Sequence, residues 1–301
     1  LGGGVSVIGG AGGDTIRVSG GGNAVLGDNG IIETNGSGRI VRIESTDPGA
    51  GGDDDITGGD GEDVIFGGTG GDNIRGNGGD DVLFGDHGIY RGGGARGATS
   101  VFTAQGGNDR INGGGGVDYI LGQVGGDTID GGSGDDDIIG GHNVPGGSDG
   151  GDTLRGGGGD DVLVGDNAQI TRPGGTHPFI GGPLRNVELF FDGEGGSDRI
   201  FGEDGNDILY GLLGADYLDG GAGFNLIYAE FDDIWGNGLL MLGLTSLNTW
   251  LQNAMDEILA RNTAFAQLLS YLDTSGSVAS EAMPEGLVVL TPLGSSNLNA
   301  A

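Results

Sequence analysis

The chain has no cysteine and no lysine, and only seven prolines and few aromatic residues among its 301 positions. The lack of cysteine leaves no disulfide framework, which suits export without proving it. The few prolines, with no strict Gly-X-Y period, exclude a collagen triple helix. No run is long and apolar enough to span a bilayer. Positive charge is scarce: twelve arginines stand against 44 acidic residues, for a formal charge of −32. That balance disfavours nucleic acid and anionic membrane surfaces as partners.

What abounds is glycine, 76 residues of it. Glycine and acid in such proportion normally mean disorder, but here they fall in phase. Gly58-Gly59-Asp60-Gly61-Glu62-Asp63-Val64-Ile65-Phe66 runs directly into Gly67-Gly68-Thr69-Gly70-Gly71-Asp72-Asn73-Ile74-Arg75. Both read G-G-x-G-x-D-x-U-x, with U a large aliphatic residue: six residues of turn, then three of strand. About sixteen such words start at residues 9, 18, 49, 58, 67, 76, 104, 113, 122, 131, 147, 156, 193, 202, 211 and 220. Their eighth positions, from Ile16 through Ile65, Ile120 and Leu163 to Ile227, are all aliphatic. Two words per coil predict an all-β parallel β-roll, a flattened β-solenoid, over residues 1–234. Its expected core is a thin ladder of those eighth-position side chains, the only ones in each word expected to need burial. Eight coils at ~4.8 Å spacing would stack to roughly 38 Å.

Four insertions break the phase, at 27–48, 85–103, 140–146 and 165–192. They precede the third, seventh, eleventh and thirteenth words, all odd. Successive turns of a two-edged solenoid alternate between edges. Every insertion should therefore leave from one edge, and the other edge should stay unbroken. Three insertions open on a similar tetrapeptide: Gly27-Asp28-Asn29-Gly30, Gly85-Asp86-His87-Gly88 and Gly165-Asp166-Asn167-Ala168. Residues 31–34 and 39–44 flank Asn35-Gly36-Ser37-Gly38, which predicts a hairpin. Residues 100–103 and 187–191 are the expected return strands of two others. Half the arginines (Arg39, Arg42, Arg91, Arg96, Arg172 and Arg185) lie in insertions. They suit either a contact platform or hairpins that pack together and balance local acid.

Through these phased words, residues 1–234 resemble the repeats-in-toxin (RTX) family of secreted calcium-binding proteins. The resemblance implies Ca2+ between turns on the same edge, held by peptide carbonyls and the sixth-position carboxylate. Carried over by position, the ligands are Asp63, Asp81, Asp118, Asp136, Asp161 and Asp207 in the even column. In the odd column they are Asp14, Asp54, Asp72, Asp109, Asp127, Asp152, Asp198 and Asp216. Asn23 and Asn225 hold the sixth position at the two ends, where sites should be weaker or absent. Asp28, Asp86 and Asp166 are candidate substitute ligands beside insertions. Affinity per site is expected near ~10⁻⁴–10⁻³ M. Without the ion, stacked carboxylates repel and the glycine-rich backbone loses much entropy on ordering. The metal-free chain is thus expected to be largely unfolded and the loaded chain folded.

Beyond Tyr228 the words stop. Leu240, Leu244, Leu247, Leu251, Met255, Ile258, Phe265, Leu268 and Leu272 recur at helical spacing, so 235–272 reads as a C-terminal amphipathic helical segment. It would serve as a cap on the last coil, an export signal or an oligomer contact, with 273–301 an extended tail. Leu1-Gly2-Gly3-Gly4 with Val7 already reads as a repeat, so a fragment or processed product is expected. Catalysis finds little support. His87, His142 and His177 lie in insertions without an H-E-x-x-H arrangement. Gly146-Gly147-Ser148-Asp149-Gly150 has the letters of a nucleophile elbow but not its strand-to-helix setting. The expectation is a secreted, extracellular or cell-surface, non-enzymatic module that rigidifies on calcium. It would belong to a large surface, matrix, fibre- or layer-forming bacterial protein that self-associates. The opposing expectation is a C-terminal folding and type I secretion domain of an exported protease, lipase or pore-forming toxin.

Overall fold

The structure, a computed structural model, describes residues 4–92, 97–176, 182–191, 195–229, 234–235 and 239–240. Even words supply one parallel sheet: Ser6–Ile8, Ala24–Leu26, Val64–Phe66, Val82–Phe84, Tyr119–Leu121, Asp137–Ile139, Val162–Val164, Ile208–Tyr210 and Leu226–Tyr228, ending at Leu239–Leu240. Odd words supply a second: Thr15–Arg17, Asp55–Thr57, Asn73–Gly78, Arg110–Gly115, Thr128–Ser133, Thr153–Gly158, Arg199–Asp204 and Tyr217–Asp219, ending at Ile234–Trp235. The architecture is therefore a parallel β-roll, with no α-helix among the described residues. None is long and apolar enough to cross a membrane. The register sets word on word. Ile65 lies between Val25 and Leu83, and Ile129 between Ile111 and Leu154.

A three-residue strand turns its middle side chain to one face and its outer two to the other. The middle residue is the eighth position. Those residues, from Ile16 to Ile227, form one continuous buried cluster between the sheets. The outer pairs distinguish the two sheets. On the odd sheet they are mostly polar, as in Thr128 with Asp130 and Thr153 with Arg155, the exceptions being the aromatic neighbours Phe201 and Tyr217. On the even sheet they are apolar and buried: Val64 with Phe66, Val82 with Phe84, Tyr119 with Leu121 and Val162 with Val164. The expectation of one buried side chain per word is thus corrected for even words, and in odd words too a second side chain, the sixth-position aspartate such as Asp72 or Asp127, is buried. A sheet apolar on both faces needs a layer on each.

The insertions provide that layer. Ile40, Ile43, Tyr90, Ala98, Ala168 and Ile170 join the outward residues of the even sheet in a second core. Gly30–Thr34 and Ile40–Ser45 form the expected hairpin, whose turn closes where Asn35 Oδ1 accepts the N–H groups of Ser37 and Arg39. Ile40–Ser45 also pairs with Gly88–Tyr90, which pairs with Ala98–Ser100, so two insertions share one antiparallel sheet. Ala168–Thr171 and Asn186–Leu189 make a separate hairpin. Its base is tied down by Asp137, an outward-facing carboxylate between Tyr119 and Val162 in register. Asp137 accepts from Arg185 Nε and Arg172 Nε, each at 2.9 Å. The amphipathic segment expected at 235–272 and the tail at 273–301 lie outside the described residues, except that Trp235 and Leu239–Leu240 extend the two sheets past residue 234.

Candidate metal centre

Each six-residue turn brings its sixth residue over the end of the inner ladder, where the side chain is buried. Its Oδ1 accepts the backbone N–H of the sixth residue one coil earlier. On the odd edge Asp14, Asp54, Asp72, Asp109, Asp127, Asp152, Asp198 and Asp216 form one such chain, every link 2.6–2.8 Å. On the even edge the chain runs from Val5 through Asn23, Asp63, Asp81, Asp118, Asp136, Asp161 and Asp207 to Asn225 at 2.7–2.9 Å. The structure therefore places the predicted site residues in two continuous columns. All four insertions leave from the odd edge, and the odd column runs through them uninterrupted.

The second carboxylate oxygen carries the chemistry. Oδ2 is buried with no hydrogen-bond partner in Asp14, Asp54, Asp72, Asp109, Asp127 and Asp152, and in Asp81, Asp118, Asp136, Asp161 and Asp207. Asp63 differs, because Gly59 N–H donates to its Oδ2 at 2.8 Å. In the uninterrupted turns each orphaned oxygen lies against the first glycine of its own turn. A Cβ on Gly67 would strike both Asp72 Oδ2 and the carbonyl oxygen of Gly85 in the next coil. Gly113 stands in the same relation to Asp118 Oδ2 and Gly131, and Gly131 to Asp136 Oδ2 and Gly156. A carboxylate oxygen and a peptide oxygen thus share a buried point with no proton between them. That donor set suits a hard cation such as Ca2+. Among the described residues no three acidic or histidine side chains converge as a metal cluster, so peptide oxygens must complete each site.

Electrostatics agree. Burial, reinforced by neighbouring carboxylates, pushes Asp81 up to about 9 and Asp72 and Asp136 to about 8. Burial lifts Asp118 and Asp127 to about 7. Desolvation penalises the ionised form, and a bound divalent cation reverses that penalty. The end residues need none. Asn23 Nδ2 donates to Gly20 O and to Asp63 Oδ1, and Asn225 Nδ2 donates to Gly220 O.

The first glycine of each interrupted turn is where sequence reading fell short. Gly49 has open space around it, whereas a Cβ on Gly27, before the insertion, would strike Asp54 Oδ2. Gly85, Gly140 and Gly165 stand likewise to Asp109, Asp152 and Asp198. The turn is thus split, its first residue left upstream. The recurring Gly-Asp tetrapeptide was the available signal. The aspartates of those tetrapeptides bind backbone: Asp86 accepts from Gly107 and Val124, and Asp166 from Gly196 and Leu213. Asp28 accepts from Thr69 at 2.5 Å. These bonds staple the insertion base to the next coil, while Asp28 Oδ1 stays buried without a hydrogen-bond partner, as a substitute ligand would.

His87 and His142 are buried, each lowered to about 4 by desolvation. Their Nε2 atoms face the Thr69 hydroxyl and the Ser148 carbonyl at 3.1 and 3.2 Å. His177 lies outside the described residues. The family described as RTX calcium-binding nonapeptide repeat (4 copies) matches residues 48–83, 66–88, 101–129, 118–141, 146–168 and 192–227. A comparison with curated proteins finds no match.

Proposed function

The chain belongs to the RTX calcium-binding nonapeptide-repeat family, whose repeats bind several Ca2+ ions, and we propose that it is a non-enzymatic structural module made rigid by those ions. Proteins with such repeats are typically secreted, and this reading places the chain outside the cell within a surface, matrix or fibre-forming assembly. The ligands are the sixth-position carboxylates of the two columns, from Asp14 to Asp216 on the odd edge and Asp63 to Asp207 on the even. Peptide carbonyls of the first glycines stand beside them. The observation that carries the reading is the row of buried Oδ2 atoms without a donor. Calcium supplies positive charge there, and the protein supplies the stacked oxygens and excludes water.

A structural role draws support from the second core. The hairpins sit down on the even sheet as a continuous apolar layer, a use of long insertions that thickens and stiffens the roll. The two described histidines are buried and bonded to the turns beneath them, which suits packing. The test is a calcium titration of chelator-treated protein followed by far-UV circular dichroism and sedimentation velocity. Cooperative gain of β signal is expected, with self-association on loading. An unchanged spectrum sinks the calcium reading. A folded holo form that stays monomeric at all concentrations favours an export and folding domain instead.

A further inference from the structure

At three insertions the chain leaves the roll through an aspartate and returns through a glycine. A Cβ on Gly51 would strike the Asp28 carboxylate, one on Gly106 that of Asp86, and one on Gly195 that of Asp166. At the 140–146 insertion the order is reversed. The chain leaves through Gly141 and returns through Asp149, and a Cβ on Gly141 would strike Asp149 Oδ2. The carboxylate reaches the same slot from the opposite strand.

The reversal coincides with a change of neighbour. Asp28 and Asp86 face uninterrupted turns in the next coil, which donate Thr69 N–H and Val124 N–H. The coil that follows Asp149 is itself interrupted, and brings Asp166 and Asn167 instead. Asp149 Oδ1 accepts from the adjacent Gly150 at 2.9 Å, but its Oδ2 is buried without a hydrogen-bond partner. Beside Gly141, that oxygen stands next to Asn167 Oδ1, which already accepts from His142 N–H. One residue away, at Gly140, Asp152 brings a second unpartnered Oδ2 and Gly165 its carbonyl oxygen. Asp152 is 1% exposed and Asn167 1%.

We propose that Asp149, Asp152, Asn167 and the Gly165 carbonyl hold a further hard divalent cation, calcium, at the base of the 140–146 insertion. Its distinguishing ligand is Asp149, the one carboxylate at the third position of an odd word; Asp60 and Asp204 hold that position in even words. Two carboxylates on one ion raise the ligand charge above that of a site with a single aspartate, and ligand charge tightens calcium binding. The ion ties the 140–146 insertion to the 165–192 hairpin and fills the slot that Thr69 and Val124 N–H serve elsewhere. The inference rests on the proposed calcium columns, since it shares Asp152 with one of them.

The experiment counts calcium bound at saturation by equilibrium dialysis of the whole chain, wild type against Asp149→Asn. The variant keeps the shape and is expected to bind one equivalent fewer; an unchanged count overturns the proposal. Should the variant fail to fold, a crystal structure of calcium-loaded wild type decides. An ion within about 2.3–2.6 Å of Asp149 Oδ2 is expected, and filled columns with no ion at Asp149 overturn it. A wild type that binds no calcium at all sinks the column reading, a distinguishable failure.

Discussion

Asn225 Nδ2 donates to the carbonyl oxygen of Gly220 at 2.6 Å, while its Oδ1 accepts the Asp207 N–H at 2.7 Å. The amide thus keeps the column link and puts a proton where an aspartate would leave an oxygen facing an oxygen. The same exchange within the column should make a turn independent of metal. Asp118→Asn is expected to bind at least one calcium fewer while raising residual structure in chelator. Dialysis and circular dichroism read the two effects. A variant equally unfolded without calcium would show that the orphaned oxygen is not what the ion serves.

Gly134 has φ of +126°, and a Cβ there would strike the carbonyl oxygen of Gly116 one coil away. A side chain meets both backbone strain and a collision that no rotamer relieves. Gly134→Ala should cost at least ~2 kcal/mol in the calcium-loaded protein. Gly158, with nothing within 4 Å of its Cβ direction, is the control, and Gly158→Ala should stay within about 0.5 kcal/mol. Denaturant melts of both variants make the comparison, and equal losses would refute it.

The alternation of words, the two sheets and the one-sided placement of insertions were legible because phase alone dictates them. Ile65 and Ile120 had to face inward once each strand was three residues long. Phe66, Phe84 and Tyr119 belong to the same words, and their burial was not foreseen. The clue was present, since even words carry apolar residues at positions seven and nine where odd words carry Thr128, Asp130 or Arg155. Reading it requires comparing the two sets of words as opposite sheets. The move of the first glycine from residue 49 to Gly27 was less accessible, because it depends on how the chain closes in space around an insertion.

Ile43 lies in no nonapeptide word, yet it is fully buried against the even sheet. If the hairpins form a true core, Ile43→Ala should cost about 2–5 kcal/mol in the loaded state, as for other buried large-to-small changes. If they are loose decoration, the loss should fall below ~1 kcal/mol. Urea unfolding at saturating calcium separates the two.

Metal-free stability should rise on acidification, the reverse of ordinary acid denaturation. Asp81, Asp72, Asp136 and Asp118 titrate between about 9 and about 7 when folded, against ~3.9 unfolded. The folded chain therefore holds protons more tightly, and stability is lost as pH climbs from about 4 to 9. His87 and His142, lowered to about 4, oppose folding as pH falls from about 6.5. Two imidazoles cannot offset two columns of carboxylates, so the gain should dominate down to about pH 4. Circular dichroism in chelator from pH 8 to 5 should show growing β signal; a decline would contradict the sign.

The Asp137 pair with Arg185 is the last and most buried test, with side-chain exposures of 0% and 2%. Arg185 also donates to the carbonyl oxygens of Asp135 and Asp160 at 3.0 and 2.9 Å, so it bridges two even turns. Asp137→Val strands the buried Arg185 charge and should cost about 3–5 kcal/mol, whereas Arg185→Leu leaves Asp137 its pair with Arg172 and should cost less. The register neighbours Tyr119 and Val162 are apolar, so a valine at 137 suits the surface beneath the hairpin. The double variant should then recover much of the loss, short of the Asp160 carbonyl left without its arginine donor, because the Asp135 carbonyl also accepts from Arg172. Arg172 is 16% exposed and already at the rim of the contact, so its charge can turn to solvent. A double-mutant cycle at saturating calcium measures the coupling. Strictly additive losses would mean that the ion pair does not hold the hairpin to the roll.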